Sequence, residues 1–163
     1  MSEVQYFLKI NGIPGESTDA RHLGEIEVLS FRCGGENPVL NPAALAVGPG
    51  VSKVTFRDFE FTAHTSKASP HLMVACAEAR PIDLATLSAV LPGGTERPVL
   101  CLELSDVLVT RYEVDAGAGA PPVDGVSLNF SRIVFSTFPQ RVVGSETHAE
   151  VAAGWDVRDN SRV

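Results

Sequence analysis

The sequence is short of positive charge, and the basic residues that it has are scattered. Thirteen Lys and Arg residues stand against 20 Asp and Glu residues, which gives a formal net charge of −7. Because nucleic acid is bound through clustered basic side chains, we expect no DNA or RNA partner. Apolar runs are also short, since none approaches the roughly 18 residues that a membrane-spanning helix needs. We therefore expect no membrane association.

A leader pattern is missing as well, because no N-terminal stretch combines a basic end with a following apolar run. Secretory signal peptides have that pattern, so the sequence predicts a soluble cytosolic protein. Any export of such a chain would need a route other than a cleaved signal.

Cysteine is scarce, and the three thiols, Cys33, Cys76 and Cys101, lie far apart among apolar neighbours. This spacing favours neither a disulfide framework nor a zinc site of paired cysteines. Free cysteine is usually buried, so we expect reduced thiols in the core and a reducing compartment.

The hydrophobic residues recur mostly with a period of two, which is typical of strands with one buried face. At 163 residues and 44% apolar content, the chain is long enough for one well-packed domain over residues 1–163. The sequence therefore predicts a single domain of the mainly β class.

In four strands the apolar alternation slips by one residue halfway along. The slips fall at Arg57 and Asp58, at Ser105 and Asp106, at Ser131 and Arg132, and between Val28 and Leu29. A strand that changes its buried face usually carries a bulge or a bend, or passes from one sheet to another. We therefore predict long bent strands shared by two sheets in a closed or nearly closed β-barrel. Two short strands at each slip are the alternative, but Gly, Pro and Asn-Gly are missing there.

One segment, "SKASPHLMVACAEARP", has helical spacing. Ser69 can cap it, Pro70 suits the first helical position, and Pro81 ends it, which predicts a helix of about ten residues flanking the barrel. Strands are expected over 82–91 and 98–114, joined through "PGGTER". In "VAAGWDV" the alternate residues from Val151 to Val157 share one face, and this last strand is expected to close the sheet.

Three stretches lack a strand pattern, namely 12–24, 36–50 and 115–123. The last has a small-residue composition that is typical of a flexible surface loop. The middle stretch, "ENPVLNPAALAVGPG", is unusually apolar for a surface loop. It is expected either to fold back on its own domain or to dock on another molecule.

The stretch "IPGESTDARHLGEIEVLSF" has the polar density of an active site. His22 with Glu16, Asp19 and Glu25 could bind a metal, but a second histidine is missing nearby, and Glu25 and Glu27 fall on the solvent parity of the next strand. Ser17 lacks the glycine pattern of a hydrolase elbow, and the glycine pairs elsewhere lack the rest of a phosphate-binding loop. We therefore expect no catalytic residue, no metal and no cofactor, and interpret the stretch as a hydrogen-bonded loop.

Five segments in unbroken order, "FLKINGIPGESTDARHLGEIEVLSF", "SKVTFRDFEFTAHTSKASPHLMVAC", "VLCLELSDVLVTRYEV", "VSLNFSRIVFSTF" and "GWDVRDN", resemble the haemolysin-coregulated protein (Hcp) family. This family supplies the tube subunit of type VI secretion systems. The resemblance implies a two-sheet β-barrel with one helix, six copies of which form a ring with a wide channel. Rings would stack into a tube inside a contractile sheath, with a spike and baseplate as further partners and effector proteins as cargo in the lumen. The protein would be cytoplasmic before firing and secreted afterwards without a signal peptide.

The resemblance also implies roles for three groups of residues. Ring-stacking candidates lie in the apolar stretch, where many members have a glycine-rich loop and this chain has three prolines: Leu40, Asn41, Leu45 and Val47. Proline lowers the entropy lost on ordering, so we expect firmer stacking than glycine loops give. Lumen candidates are Ser30 and Arg32. Assembly-loop candidates, at or near a subunit contact, are Glu16, Ser17, Asp19 and His22.

Two other classes fit the same composition. A phage-type or other contractile-injection tail tube subunit would form the same ring. A small-ligand-binding β-barrel would be a monomer with an open apolar cavity, whereas here Phe and Leu fill the core parities.

Overall fold

The computed structural model describes residues 3–38, 53–92, 97–138 and 150–163. These contain one helix, α1 (Ala68–Glu78), and 12 strands. The strands are β1 (Gln5–Ile10), β2 (Ile26–Val28), β3 (Ser30–Arg32), β4 (Gly35–Glu36), β5 (Thr55–Phe56), β6 (Phe59–His64), β7 (Ile82–Val90), β8 (Leu100–Asp115), β9 (Val123–Asn129), β10 (Arg132–Thr137), β11 (Val151–Asp156) and β12 (Ser161–Arg162). The mainly β class with one flanking helix is confirmed.

The strands form two antiparallel sheets that share β8. The first sheet has the order β12-β11-β10-β8-β7-β1-β2, and the second has the order β3-β6-β9-β8. A separate two-stranded ribbon pairs β4 with β5. Because β8 is 16 residues long, its first half belongs to one sheet and its second half to the other.

The change of sheet in β8 lies at the predicted slip. Residues up to Val107 pair with β7, and residues from Leu108 onward pair with β9. Two residues before Leu108, Asp106 has a φ of 52°, which turns the strand. The long bent strand that the sequence predicted here is therefore confirmed.

At the other three slips the chain breaks into two short strands instead. β2 and β3 are separated at Leu29, β5 and β6 at 57–58, and β9 and β10 at 130–131. β2 and β3 pair with different strands, and so do β5 and β6, whereas β9 and β10 pair with opposite halves of β8. The prediction of a continuous strand is wrong at these three places, while the predicted exchange between ladders is right at all four.

The predicted closed barrel needs correction, because the sheet does not close over the described residues. β2 pairs with β1, whereas β3 pairs with β6, and the ladder is interrupted between them. One hydrogen bond from the Leu29 amide to the Thr62 carbonyl, at 2.8 Å, spans the gap. β11 was expected to close the sheet, but it extends the first sheet past β10 and is followed at that edge by β12.

The helix has the predicted length, but its first turn differs from the prediction. Lys67 is the N-cap and makes no side-chain capping bond, whereas Ser69 lies buried inside the first turn. The Ser69 hydroxyl accepts a hydrogen bond from the Ser66 amide at 2.9 Å. Leu72 and Ala75 face the sheets, and Ala79 ends the helix in the left-handed conformation with a φ of 49°.

The core lies between the two sheets, and its apolar residues lie opposite one another on neighbouring strands. Leu8 of β1 faces Leu87 of β7, which in turn faces Leu102 of β8. From the second sheet Phe59, Phe61 and other apolar residues of β6 and β9 complete it. The cysteines are free but only half-buried, which corrects the expectation of fully buried thiols. In the part of the chain that the structure describes, α1 is too short to cross a membrane.

Candidate interaction surfaces

The polar stretch after β1 is a loop that is held by its own backbone. The Gly15 amide donates to the Gly24 carbonyl at 2.8 Å, the Ser17 amide to Glu25 at 3.0 Å, and the Gly24 amide back to Ser17 at 2.9 Å. Glycine is required at residue 15, because a Cβ there would lie 2.4 Å from the Glu25 carbonyl oxygen. The geometry is that of a hydrogen-bonded loop.

Three polar side chains of this loop, those of Ser17, His22 and Glu25, point inward. Ser17 is 3% exposed, and its hydroxyl accepts from the Asp19 amide at 3.2 Å. The His22 ring stacks on Phe7 at a centroid distance of 4.6 Å, and its Nδ1 lies 2.9 Å from a Glu25 carboxylate oxygen. Glu25 was predicted to face solvent, but its side chain is only 15% exposed, because it pairs with His22.

Two members of the loop have further structural contacts. Asp19 accepts from the Arg21 amide at 2.9 Å, which orders the turn. Glu16 is exposed and accepts from the Lys67 amide at 3.3 Å, so it joins the loop to the start of α1. Among the residues that the structure describes, no group of three or more His, Cys, Asp or Glu side chains is placed to hold a metal ion.

A polar face lies on the outer side of β3 and β6. The Ser30 and Thr62 hydroxyls are 2.6 Å apart, and Arg32 Nε donates to Glu60 Oε2 at 3.1 Å. Arg32 is largely exposed, with 73% of its side chain accessible. The sequence predicted that Ser30 and Arg32 point outward, but it did not predict their partners Thr62 and Glu60. Their alternation with Phe59, Phe61 and Ala63 was a usable signal.

A buried carboxylate fastens α1 to the second sheet. Asp124 on β9 is 2% exposed and accepts hydrogen bonds from the Thr65 hydroxyl at 2.9 Å and the Tyr112 hydroxyl at 3.0 Å. The Ser69 hydroxyl of α1 donates to its other oxygen. Burial, together with donation to Asp124, raises the pKa of Tyr112. This cluster was not predicted from the sequence, although Asp124 shares the core parity of Val126 and Leu128.

An open apolar groove of about 450 Å³ lies where the first sheet extends beyond the second. Its walls come from β3, β5, β8, β10 and β11, and they include Phe31, Phe56, Leu102, Ile133, Phe135 and Trp155. Phe135 follows Ile133 at the two-residue interval of a buried strand face, but it is 44% exposed. The indole Nε1 of Trp155 is buried and has no hydrogen-bond partner among the residues that the structure describes. Burial raises the pKa of the Cys33 thiol in the same wall.

The ring-stacking candidates Leu40, Asn41, Leu45 and Val47 lie outside the described residues. Their role therefore stays a prediction, as does the single-domain extent over residues 1–163.

Comparisons with known proteins add a family assignment. A family model described as "Type VI secretion system effector, Hcp" matches residues 7–136. "Protein hcp1" of Pseudomonas aeruginosa is 31% identical over 159 residues, which cover 96% of this chain and 97% of that protein. Among solved structures, Hcp1 from Salmonella typhimurium is 28% identical with a TM-score of 0.82, and the match covers 100% of both chains. The secreted protein Hcp3 from Pseudomonas aeruginosa is 11% identical with a TM-score of 0.60, covers 93% of this chain and 97% of that one, and shows the shared fold alone.

Proposed function

Because the chain belongs to the Hcp family of type VI secretion proteins, we propose that it is a structural tube subunit rather than an enzyme. Six copies form a ring, and rings stack into a tube that a contracting sheath propels with effector proteins in its lumen. The observation that carries this proposal is the Hcp likeness over the whole chain, in sequence and in fold. The membership itself confirms the family resemblance that the sequence motifs predicted.

The outer face of β3 and β6 is the proposed lumen surface. It carries hydroxyls and paired charges, since Arg32 lies against Glu60 and Ser30 against Thr62. Because the opposite charges on this pair of strands neutralise each other, the surface has little net electrostatic field. It therefore favours neither positively nor negatively charged cargo. Such a surface suits the passage of folded effectors, with Ser30 and Arg32 as the hydrogen-bonding contacts.

The loop over residues 13–25 is the proposed assembly element. Ser17, which is buried, and His22, whose side chain is 14% exposed, hold its shape, whereas Leu23 is 75% exposed at its turn. An apolar side chain held out on a stiff loop is a good contact for a neighbouring subunit. Glu16, which reaches the start of α1, and Asp19 fix the position of this contact.

The remaining partners follow from the same proposal. Sheath, spike and baseplate proteins would contact the tube, which is cytoplasmic before firing and secreted afterwards. Leu40, Asn41, Leu45 and Val47 are the proposed ring-stacking residues. Neither nucleic acid nor a membrane is a proposed partner of the acidic chain.

Light scattering after size-exclusion chromatography, together with negative-stain microscopy, tests the proposal. We expect particles of about six times the 17.3 kDa chain mass that appear as rings with a central hole. A Leu23→Glu variant should lower the ring fraction, and the matched Met73→Glu variant, on the exposed side of α1, should not. A monomer at all concentrations would overturn the proposal.

A further inference from the structure

The two sheets come apart along a seam between β2 and β6. β3 pairs with β6 as far as Ser30 and Thr62, and the Leu29 amide then bonds to the Thr62 carbonyl at 2.8 Å. Beyond that bond β2 runs beside β6 without pairing to it in the part of the chain that the structure describes. The seam is therefore the place where one ladder stops although both strands continue.

The next rung of the interrupted ladder would join Glu27 and His64. Backbone groups of successive residues point to opposite edges of a strand. Since the Leu29 amide points toward β6, the amide and carbonyl of Glu27, two residues earlier, point the same way. On β6 the Thr65 amide bonds to the Pro122 carbonyl, beside β9, at 3.1 Å. The backbone groups of His64 therefore point to the other edge of β6, toward β2.

These backbone groups of Glu27 and His64 face each other unpaired over the described ranges. A cleft of about 450 Å³ runs along the seam, and its walls include Tyr6, Ile26 and Val28 from the core side. The side chains of Glu27 and His64 also line this cleft and are exposed. Unpaired amides and carbonyls on a strand edge are a template for further pairing. Here each edge supplies the donor and the acceptor that the other lacks.

The loop over residues 13–25 holds the far end of the seam apart. The Ser17 amide bonds to the Glu25 carbonyl at 3.0 Å, so the rung that would follow Glu27 on this edge is already occupied. The Glu16 carboxylate accepts a hydrogen bond at 3.3 Å from the amide of Lys67, the N-cap residue of α1. The seam is thus bounded by a paired ladder at one end and by this single side-chain bond at the other.

We propose that the seam has a second, closed form, in which the amide and carbonyl of Glu27 pair with those of His64 as one further rung. The bond from Lys67 to Glu16 keeps the seam open, so its loss shifts the population toward the closed form. Closing stops after one rung, because Ser17 holds the next carbonyl of β2. The closed form narrows the cleft over the core. This exchange belongs to the single chain and does not depend on ring formation.

Disulfide trapping with oxidised glutathione tests the proposal. Residues of a hydrogen-bonded antiparallel pair have Cα atoms about 5.5 Å apart, which a disulfide can span. The Glu27→Cys/His64→Cys variant should therefore form its bond roughly tenfold faster than Glu27→Cys/Glu60→Cys, whose second residue lies beyond Thr62 on the same strand. Ser30→Cys/Thr62→Cys is the positive control, because those hydroxyls lie 2.6 Å apart. Peptide mapping without reduction identifies each bond, so the native cysteines remain.

Substitution of Glu16 tests what holds the seam open. Glu16→Ala removes the acceptor of the Lys67 amide and should raise the trapping rate of the Glu27→Cys/His64→Cys pair several-fold. Glu16→Gln keeps a side-chain oxygen that can accept the same bond, so its rate should stay close to that of the parent pair. Neither substitution should change the rate of the positive control.

Hydrogen exchange shows whether the trapped protein contains the rung. The amides of residues 27 and 64 should exchange roughly tenfold more slowly in the oxidised than in the reduced double-cysteine variant, because pairing protects them. Unchanged exchange would mean that the disulfide formed without the rung and would overturn the proposal. Trapping no faster than that of the Glu27→Cys/Glu60→Cys pair would also overturn it. Equal trapping rates with Glu16→Ala and Glu16→Gln would contradict the role of Glu16.

Discussion

The hydroxyl of Ser69, in the first turn of α1, donates a hydrogen bond to the buried carboxylate of Asp124 on β9. The helix therefore depends on a polar contact as well as on apolar packing, since its buried residues besides Leu72 are small: Ala68, Ser69 and Ala75. Two more hydroxyls, from Thr65 and Tyr112, complete the coordination of the same carboxylate. The Asp124 side chain therefore holds three elements together, namely α1, β8 and β9.

Replacing Asp124 with Ala should destabilise the protein strongly. Three hydroxyl donors would lose their acceptor, and a buried donor without a partner costs roughly 1–3 kcal/mol. Asp124→Asn should cost less, because the amide oxygen still accepts and the hydroxyls can rotate to accept from its NH₂ group. Urea unfolding measures both, with the exposed Asp83→Asn as the control. Equal stability of the Ala variant and the control would contradict the role of the cluster.

Tyr112 should make stability fall at alkaline pH. Its pKa is raised above the ordinary value of 10.0 by burial and by donation to Asp124. Since the folded state holds this proton more tightly than the unfolded state, the contribution is complete below about pH 10 and is lost as pH rises through the folded pKa. Absorbance near 295 nm in a Tyr6→Phe background isolates Tyr112, because the chain has two tyrosines.

The same titration has an internal check at Asp124. In the Tyr6→Phe background, Asp124→Asn removes the charged acceptor, so the pKa of Tyr112 should move down toward its ordinary value. No change, or a change in the opposite direction, would show that the hydrogen bond does not hold the Tyr112 proton.

Gly15→Ala should weaken the fold through the loop backbone. The added Cβ would lie 2.4 Å from the Glu25 carbonyl oxygen and 2.6 Å from the Ile26 amide nitrogen, both of them main-chain atoms with little freedom to shift. Overpacking of this kind costs about 1–3 kcal/mol and sometimes more. Gly117→Ala is the matched control, because its Cβ would meet no atom within 4 Å. In thermal unfolding, the Gly15→Ala variant should have a clearly lower midpoint temperature than the Gly117→Ala variant.

The bends of this fold were readable from the sequence because a period-two pattern records which face is buried. The pattern cannot tell a bent strand from a broken one, since both shift the parity by one residue. Ser105 and Asp106 stay within a strand, whereas Arg57 and Asp58 end one. Whether a strand bends or breaks depends on its hydrogen bonds to neighbouring strands. Those strands are distant in the sequence, so a local pattern does not record them.

The candidate sites show the same limit. Parity gave the outward placement of Arg32 but could not supply its partner Glu60, which lies 28 residues away on β6. Phe135 follows Ile133 at the interval that is typical of a buried face, yet it is exposed because the second sheet does not extend over it. Asp124 carried a signal, a carboxylate on a core parity, but its hydroxyl donors Thr65 and Ser69 are 59 and 55 residues away.

Substitutions of Asp106, near the place where β8 changes sheets, should measure the free-energy cost of a residue in the left-handed conformation within a strand. Its φ is 52°, its carboxylate accepts from the Ser131 hydroxyl at 2.7 Å, and it lies 3.3 Å from an Arg158 guanidinium nitrogen. Ala and Gly both remove the carboxylate, but only Gly adopts this φ without strain, so Asp106→Gly should be about 1 kcal/mol more stable than Asp106→Ala. Asp106→Asn tolerates the conformation and still accepts from Ser131, so it should stay close to the unsubstituted protein in urea unfolding. Equal stability of the Gly and Ala variants would mean that the bend is not held in the left-handed conformation, and that the bond to Ser131 alone accounts for the effect of substitution.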